Sequence, residues 1–252
     1  MNALATKSKE NQSFSFFGGP ITNITPLCDC TINDVYNLIK GATYKETTET
    51  LRQITDEKQQ ADYKKRNFDY VTFSGTFSKR QTEAILARSV FFCIDLDHIS
   101  DVKATRAIIL NNLRPALLFV SPRGNGLKIV YKIDVSAGTH EQYFHALEAY
   151  FIDIADLSID KQCKDQARAC FLSHDEQAYF DQQPDVLDKS FLDTYNKPKE
   201  SPENGFLFNA NVIMSPAVKL IREAVNGSKH GELLKAARLA GGYVAGGANK
   251  RK

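Results

Sequence analysis

The chain has 252 residues, of which 42% are hydrophobic and 25% charged; this excludes a disordered, collagen-like or low-complexity protein and suffices for one large domain or two modest ones. No apolar run is long enough to span a bilayer, Met1–Asn11 lacks the apolar core of a secretory signal, and five irregularly spaced cysteines favour a reducing, cytoplasmic setting over a disulfide framework. The net charge is +2, but residues 216–252 hold eight Lys/Arg against two Asp/Glu, so a faintly acidic body carries a basic tail compatible with nucleic acid.

Residues 1–13 read as a disordered start. Phe14–Phe17 is a short strand stopped by Gly18-Gly19-Pro20, and Ile21–Leu27 is a candidate second strand. Thr31 caps a helix with Ile32, Val35, Leu38 and Ile39 on one face and Gly41 at its end. The polar stretch 45–66 predicts an exposed helix, Tyr70–Phe73 a strand, and Ser78–Gln81 the capping box of a short helix through Leu86.

Ser89–Leu96 is a nearly continuous apolar run, as in a central strand covered on both faces. Ser100 can cap a helix to Leu113, and Ala116–Val120 and Leu127–Ile133 are strands around the turn-rich Ser121–Gly126. Thr139 opens a long helix bearing Leu147, Tyr150, Phe151 and Ile154, and Arg168–Ser173 is a fourth strand. The order β-α-β-β-α-β predicts an α+β protein with a ferredoxin- or RRM-like core over 88–195, preceded by an αβ module over 1–87. After Asp181 periodicity fades. Residues 196–252 read as a linker and a short basic helical segment, with helices from Ser215-Pro216 to Asn226-Gly227 and over 231–240. They are expected to begin a further domain of a longer protein.

Three features carry chemistry. Asp95 and Asp97, alternate residues at the end of the apolar strand, share one face and repel unless a divalent cation neutralises them; read alone, they equally solvate a strand end. Ser121-Pro122-Arg123-Gly124-Asn125-Gly126-Leu127-Lys128 offers glycine backbone and two cations to a triphosphate, or is simply a hairpin turn. Residues 158–171 supply Asp160, Asp165 and Arg168, a guanidinium able to clamp phosphate, or merely a charged loop. A ferredoxin-like topology brings all three to one rim, an arrangement suited to metal-assisted nucleotidyl transfer.

These motifs, with the approach segment Thr72–Arg80 and an Asp…Arg-x-x-Phe closing strand, resemble the archaeo-eukaryotic primase superfamily. Over about residues 20–195 the chain is similar to the primase domain that precedes the helicase part of virulence-associated-E-like proteins of phages and mobile elements. The resemblance implies a DNA primase-polymerase that joins nucleoside triphosphates on a single-stranded DNA template with two Mg²⁺ or Mn²⁺ ions, alongside a helicase domain or protein. It implies that Asp95, Asp97 and Asp160, with Asp165 in reserve, are the metal ligands. It sets Ser121, Arg123, Gly124, Asn125, Gly126, Lys128 and Arg168 at the nucleotide. Many members carry His where this chain has Lys128, which puts a proton-transfer role there in doubt.

Lys79, Arg80 and Arg106, with Arg88 and Lys103, are candidate nucleic-acid contacts; solvated charge is the plain alternative. Cys28, Cys30, Cys163, Cys170 and His174 form a weak zinc candidate, and His98 a weaker metal or nucleotide contact. Two other functions remain open: a non-catalytic RRM-like nucleic-acid-binding module, and a sugar-nucleotide transferase using Asp-x-Asp.

Overall fold

Residues 11–196 are described in the computed structural model, and the linker and basic helices expected beyond them lie outside the described residues. β1 (Phe14–Phe17) pairs antiparallel with β2 (Cys28–Cys30). The chain then forms α1 (Ile32–Lys40), where Thr31 and Asp34 complete a reciprocal capping box. The expected single polar helix is two, α2 (Lys45–Gln53) and α3 (Glu57–Asn67). Asp56 breaks it, because its side chain accepts from Gln59 N–H and starts a new helix.

β3 (Tyr70–Thr72) pairs with the other edge of β1. The helix expected after Ser78 is a 3-10 turn over Thr82–Ala84 inside a hairpin of β4 (Gly75–Phe77) and β5 (Ile85–Arg88). Gly75 permits that hairpin, since any side chain there would collide with the Ala87 carbonyl. Ile21–Leu27 is not a strand; the partner of β1 begins at Cys28. Residues 11–13 are tied down, with Val90 N–H donating to Asn11 O at 3.0 Å and Asn11 Nδ2 to Arg88 O at 3.1 Å.

The core follows the expected order: β6 (Phe91–Leu96), α4 (Val102–Asn112), β7 (Leu117–Val120), β8 (Leu127–Ile133) and α5 (His140–Ala155). Asp101, not Ser100, caps α4, whereas Thr139 and Gln142 form the predicted capping box of α5. β8 lies between β6 and β7, antiparallel to both. The α+β class is borne out.

The sixth element departs from the ferredoxin arrangement. β9 (Cys170–Phe171) pairs with β3 and completes the sheet β2-β1-β3-β9 instead of lying beside β6. Asp160 caps a 3-10 turn over Lys161–Lys164 that turns the chain away from the β6 edge after one backbone bond. β10 (Tyr179–Phe180) then borders β7, β11 (Val186–Leu187) runs parallel to the end of β8, and α6 (Lys189–Tyr195) follows. Strands from 1–87 and 88–195 thus share one sheet, and a single unit, Met1–Lys197, contains both stretches.

Phe92, Ile94, Leu118, Ile129 and Tyr131 pack against Tyr143, Leu147 and Phe151 of α5. The opposite face, with Phe91, Leu117, Phe119 and Val130, packs against Phe14, Val71 and Phe73 of the other sheet and Val35 and Ile39 of α1. Burial on both faces accounts for the nearly continuous apolar run of β6. No helix among the described residues is long and apolar enough to cross a membrane.

Candidate functional site

Asp95 and Lys128 are paired in register across β6 and β8, so their side chains share a face, and Lys128 Nζ lies 2.5 Å from Asp95 Oδ1. Both residues are buried. Burial pulls the Lys128 pKa down, but the adjacent Asp95 carboxylate outweighs it, so the ammonium titrates above its ordinary value.

The second carboxylate arrives through the backbone. Asp160 N–H donates to Asp95 O at 2.9 Å. Asp160 Oδ1 accepts from Gln162 N–H at 3.0 Å, and Oδ2 accepts from Arg168 Nη2 at 2.6 Å. The same Nη2 is 3.9 Å from Asp95 Oδ2, so Arg168 spans the two acids.

A cavity of about 350 Å³ opens beside Asp95 and Arg168; Asp160 is not among its lining residues. Lys64, Lys65, Arg80, Arg123, Lys128 and Arg168 line it, with Asp95, Asp97 and Asp165 as its acids. Arg80, Arg123 and Arg168 each keep a buried Nε without a hydrogen-bond partner. The cavity is the more cationic for these guanidinium groups, and its six Lys and Arg against three acids suit an anionic ligand. Burial, then Lys128 and Arg123, push the Lys64 pKa down to about 8; its ammonium lies 5.3 Å over the Phe171 ring.

Of the residues expected at the nucleotide, Ser121, Arg123, Lys128 and Arg168 line the cavity, whereas Gly124, Asn125 and Gly126 are not among its lining residues. Their turn is closed on itself: Gly124, at φ +86°, donates its N–H to Ser121 O, and Ser121 N–H donates to Gly126 O, each at 2.9 Å. Asn125 O accepts from Ile99 N–H at 2.9 Å, and a side chain at Gly126 would meet the Leu96 carbonyl. Arg52 of α2 grips the hairpin through Pro122 O at 3.2 Å and Ser121 O at 3.3 Å. Side chains, rather than the expected glycine backbone, therefore face the cavity.

Asp97 and His98 are exposed and line the cavity. Asp165 is held by Thr82 Oγ1 at 2.8 Å and Ala167 N–H at 2.9 Å. Of the expected nucleic-acid contacts only Arg80 reaches the cavity; Lys79 is exposed outside its lining. Arg106 is committed elsewhere, 3.3 Å from Asp175 Oδ2 and bonded to Gln177 O. The expected zinc set does not assemble: Cys28 and Cys30 sit on β2, His174 Nδ1 bonds the Ile39 and Gly41 carbonyls, and Cys170 faces Cys93.

Among the described residues, groups able to hold a metal ion gather in two sets, Asp95-Asp160-Cys163 and Cys93-Asp95-Cys170, each with ligand atoms within 4.8 Å of one another. Asp95 and Asp160 offer the oxygen donors a hard cation takes, whereas the Cys163 thiol is a soft donor that suits such a cation poorly. Asp97 belongs to neither set. Asp95 and Asp160 thus bring oxygen donors together for a divalent ion, and such an ion competes with Lys128 and Arg168.

Sequence reasoning missed Arg52, Lys64, Lys65 and Cys93. The basic run Lys64-Lys65-Arg66 was visible, but the helix carrying it has no buried residue to show which way it faces. Residues 63–180 match the family described as BT4734-like, N-terminal domain, a stretch running from the end of α3 to β10. No curated protein and no solved structure matches the chain.

Proposed function

We propose that the chain is a DNA primase-polymerase domain that performs metal-dependent, template-directed nucleotidyl transfer in the replication of a mobile element or phage. The observation that carries this reading is the meeting of Asp95 and Asp160, distant in the chain, at one sheet edge beside a cavity lined by Arg80, Arg123, Arg168 and three lysines. Asp95 and Asp160 would hold Mg²⁺ or Mn²⁺, with the exposed Asp97 in the cavity lining. The bound ion supplies neutralisation of phosphate charge and acidification of a 3′-hydroxyl. Arg80, Arg123 and Arg168, whose side chains line the cavity, bind the triphosphate through their guanidinium charge, and Lys64 adds to it. Lys128 orients Asp95 and has no part in proton transfer, because its proton is held by that carboxylate. Single-stranded DNA and nucleoside triphosphates are the ligands of this reading, and a helicase domain or protein its partner.

The test incubates the full chain with a primed single-stranded DNA template, labelled nucleoside triphosphates and Mn²⁺ or Mg²⁺. Incorporation is expected, and Asp160→Ala abolishes it while cooperative thermal unfolding persists. Undiminished incorporation in that variant defeats the proposal.

One observation favours a second reading, an RRM-like nucleic-acid-binding module without catalysis: Lys128 and Arg168 already neutralise Asp95 and Asp160. It expects oligonucleotide binding indifferent to EDTA, with no metal-dependent nucleotide affinity.

A further inference from the structure

Beside the cation-rich cavity lies a cluster of different chemistry. Cys93 on β6 and Cys170 on β9 face each other between the two sheets, with Sγ atoms 3.7 Å apart. A disulfide needs about 2.05 Å. Two thiolates on one tetrahedral zinc ion, each at about 2.3 Å, stand about 3.8 Å apart. The two thiols share an S–H···S contact at this separation, and the same spacing accommodates a shared metal without moving either strand.

Asp95 completes the set. It follows Cys93 by two residues on a strand and shares its face, and the ligand atoms of Cys93, Asp95 and Cys170 lie within 4.8 Å of one another. All three line a cavity of about 20 Å³, roughly the space of a single water-sized sphere. Lys128 occupies Asp95 Oδ1, which leaves the other carboxylate oxygen as a ligand. Two thiolates and one carboxylate around a divalent cation leave one negative charge, which the Lys128 ammonium cancels. Two thiolates among the donors select Zn²⁺ over Mg²⁺ or Mn²⁺.

We propose that Cys93, Asp95 and Cys170 bind one Zn²⁺ ion between the two sheets, with solvent as the fourth ligand. Coordination releases the two thiol protons to solvent. The ion joins β9 to β6, which share no backbone pairing, and fixes Asp95 at the foot of the larger cavity. The site shares Asp95 with the proposed nucleotide site, but its test uses no nucleotide and does not depend on that activity.

The full chain, purified under reducing conditions and freed of metal by a chelator, is titrated with Co²⁺. A thiolate-to-cobalt charge-transfer band with tetrahedral visible bands is expected at one ion per chain, and Zn²⁺ displaces it. Cys93→Ser and Cys170→Ser each weaken binding by about 100-fold or more, since loss of a ligand exceeds the usual cost of losing its supporting hydrogen bond; Cys28→Ser/Cys30→Ser leaves it unchanged. Absence of the thiolate band, or its loss in the Cys28/Cys30 variant, overturns the proposal. Should a serine variant fail to fold, X-ray absorption of the Zn²⁺-loaded wild-type chain decides: two sulfur scatterers support the site, and an all-oxygen or nitrogen shell overturns it. A Cys93–Cys170 disulfide that takes up no metal after reduction also overturns it.

Discussion

The backbone N–H of Asp160 meets the carbonyl of Asp95 at 2.9 Å, although α4, β7, β8 and α5 all lie between them in the chain. That bond marks where the β6 edge stops being paired and a 3-10 turn begins. It also brings Arg168 within 2.6 Å of one carboxylate and 3.9 Å of the other. With Lys128 at 2.5 Å from Asp95, the rim is a charge network rather than a bare acidic pair.

Lys128→Met strips Asp95 of its closest cation. Both side chains are less than a tenth exposed, so the loss should cost about 3–5 kcal/mol, because a buried charge is left uncompensated. The double variant Asp95→Asn/Lys128→Met recovers most of that loss. Urea denaturation of the three proteins measures it.

Arg168 serves two acids and carries a free Nε. Arg168→Lys keeps the charge but not the planar fork. Triphosphate affinity, followed by calorimetry, should fall about tenfold or more while the melting temperature changes little.

Lys64 loses its proton near pH 8 because of burial and its cationic neighbours Lys128 and Arg123. Triphosphate affinity should therefore fall as pH rises through about 8, and Lys64→Met should remove that step. Stability moves the other way: from about pH 8 to the ordinary lysine range the unfolded chain binds more protons than the folded one, so the fold gains stability as pH rises there. Titration at constant ionic strength separates the two effects.

His140 is buried against Phe92, ring centroids 4.3 Å apart, and its Nε2 lies 3.1 Å from the Cys163 carbonyl. Burial pushes its pKa down to about 4. Below pH 6.5 the unfolded chain takes up a proton the folded one refuses, so stability falls progressively towards pH 4, by up to roughly 3 kcal/mol. His140→Gln should flatten that part of the stability–pH curve.

Arg106 tests whether cationic residues here bind DNA or hold the fold. Its guanidinium and Asp175 are 15% and 9% exposed, and Asp175 Oδ2 also accepts from Val120 N–H at 3.0 Å. Arg106→Ala should lower stability by about 1–3 kcal/mol, with the salt dependence of oligonucleotide binding unchanged; Arg80→Ala should reduce that dependence.

Legibility followed the range of the interactions. Leu127–Ile133 and the capping box at Thr139 are local features, and the structure has both where the sequence indicates them. The Asp95–Lys128 juxtaposition was also readable, since β-α-β-β order makes the first and third strands antiparallel neighbours. The break at Asp56 and the β4–β5 hairpin were not: one capping carboxylate and one glycine overrode a polar pattern that fits a continuous helix equally well.

By itself the sequence determined the α+β class, the identity of the central strands and the acidic and basic residues at their ends, because periodicity and capping are written in neighbouring side chains. Only the tertiary structure decided that β9 joins the opposite sheet, which sets Cys170 against Cys93 and Phe171 beneath Lys64. A strand's apolar pattern says which face is buried but not which backbone it bonds, and that choice depends on contacts far apart in the chain.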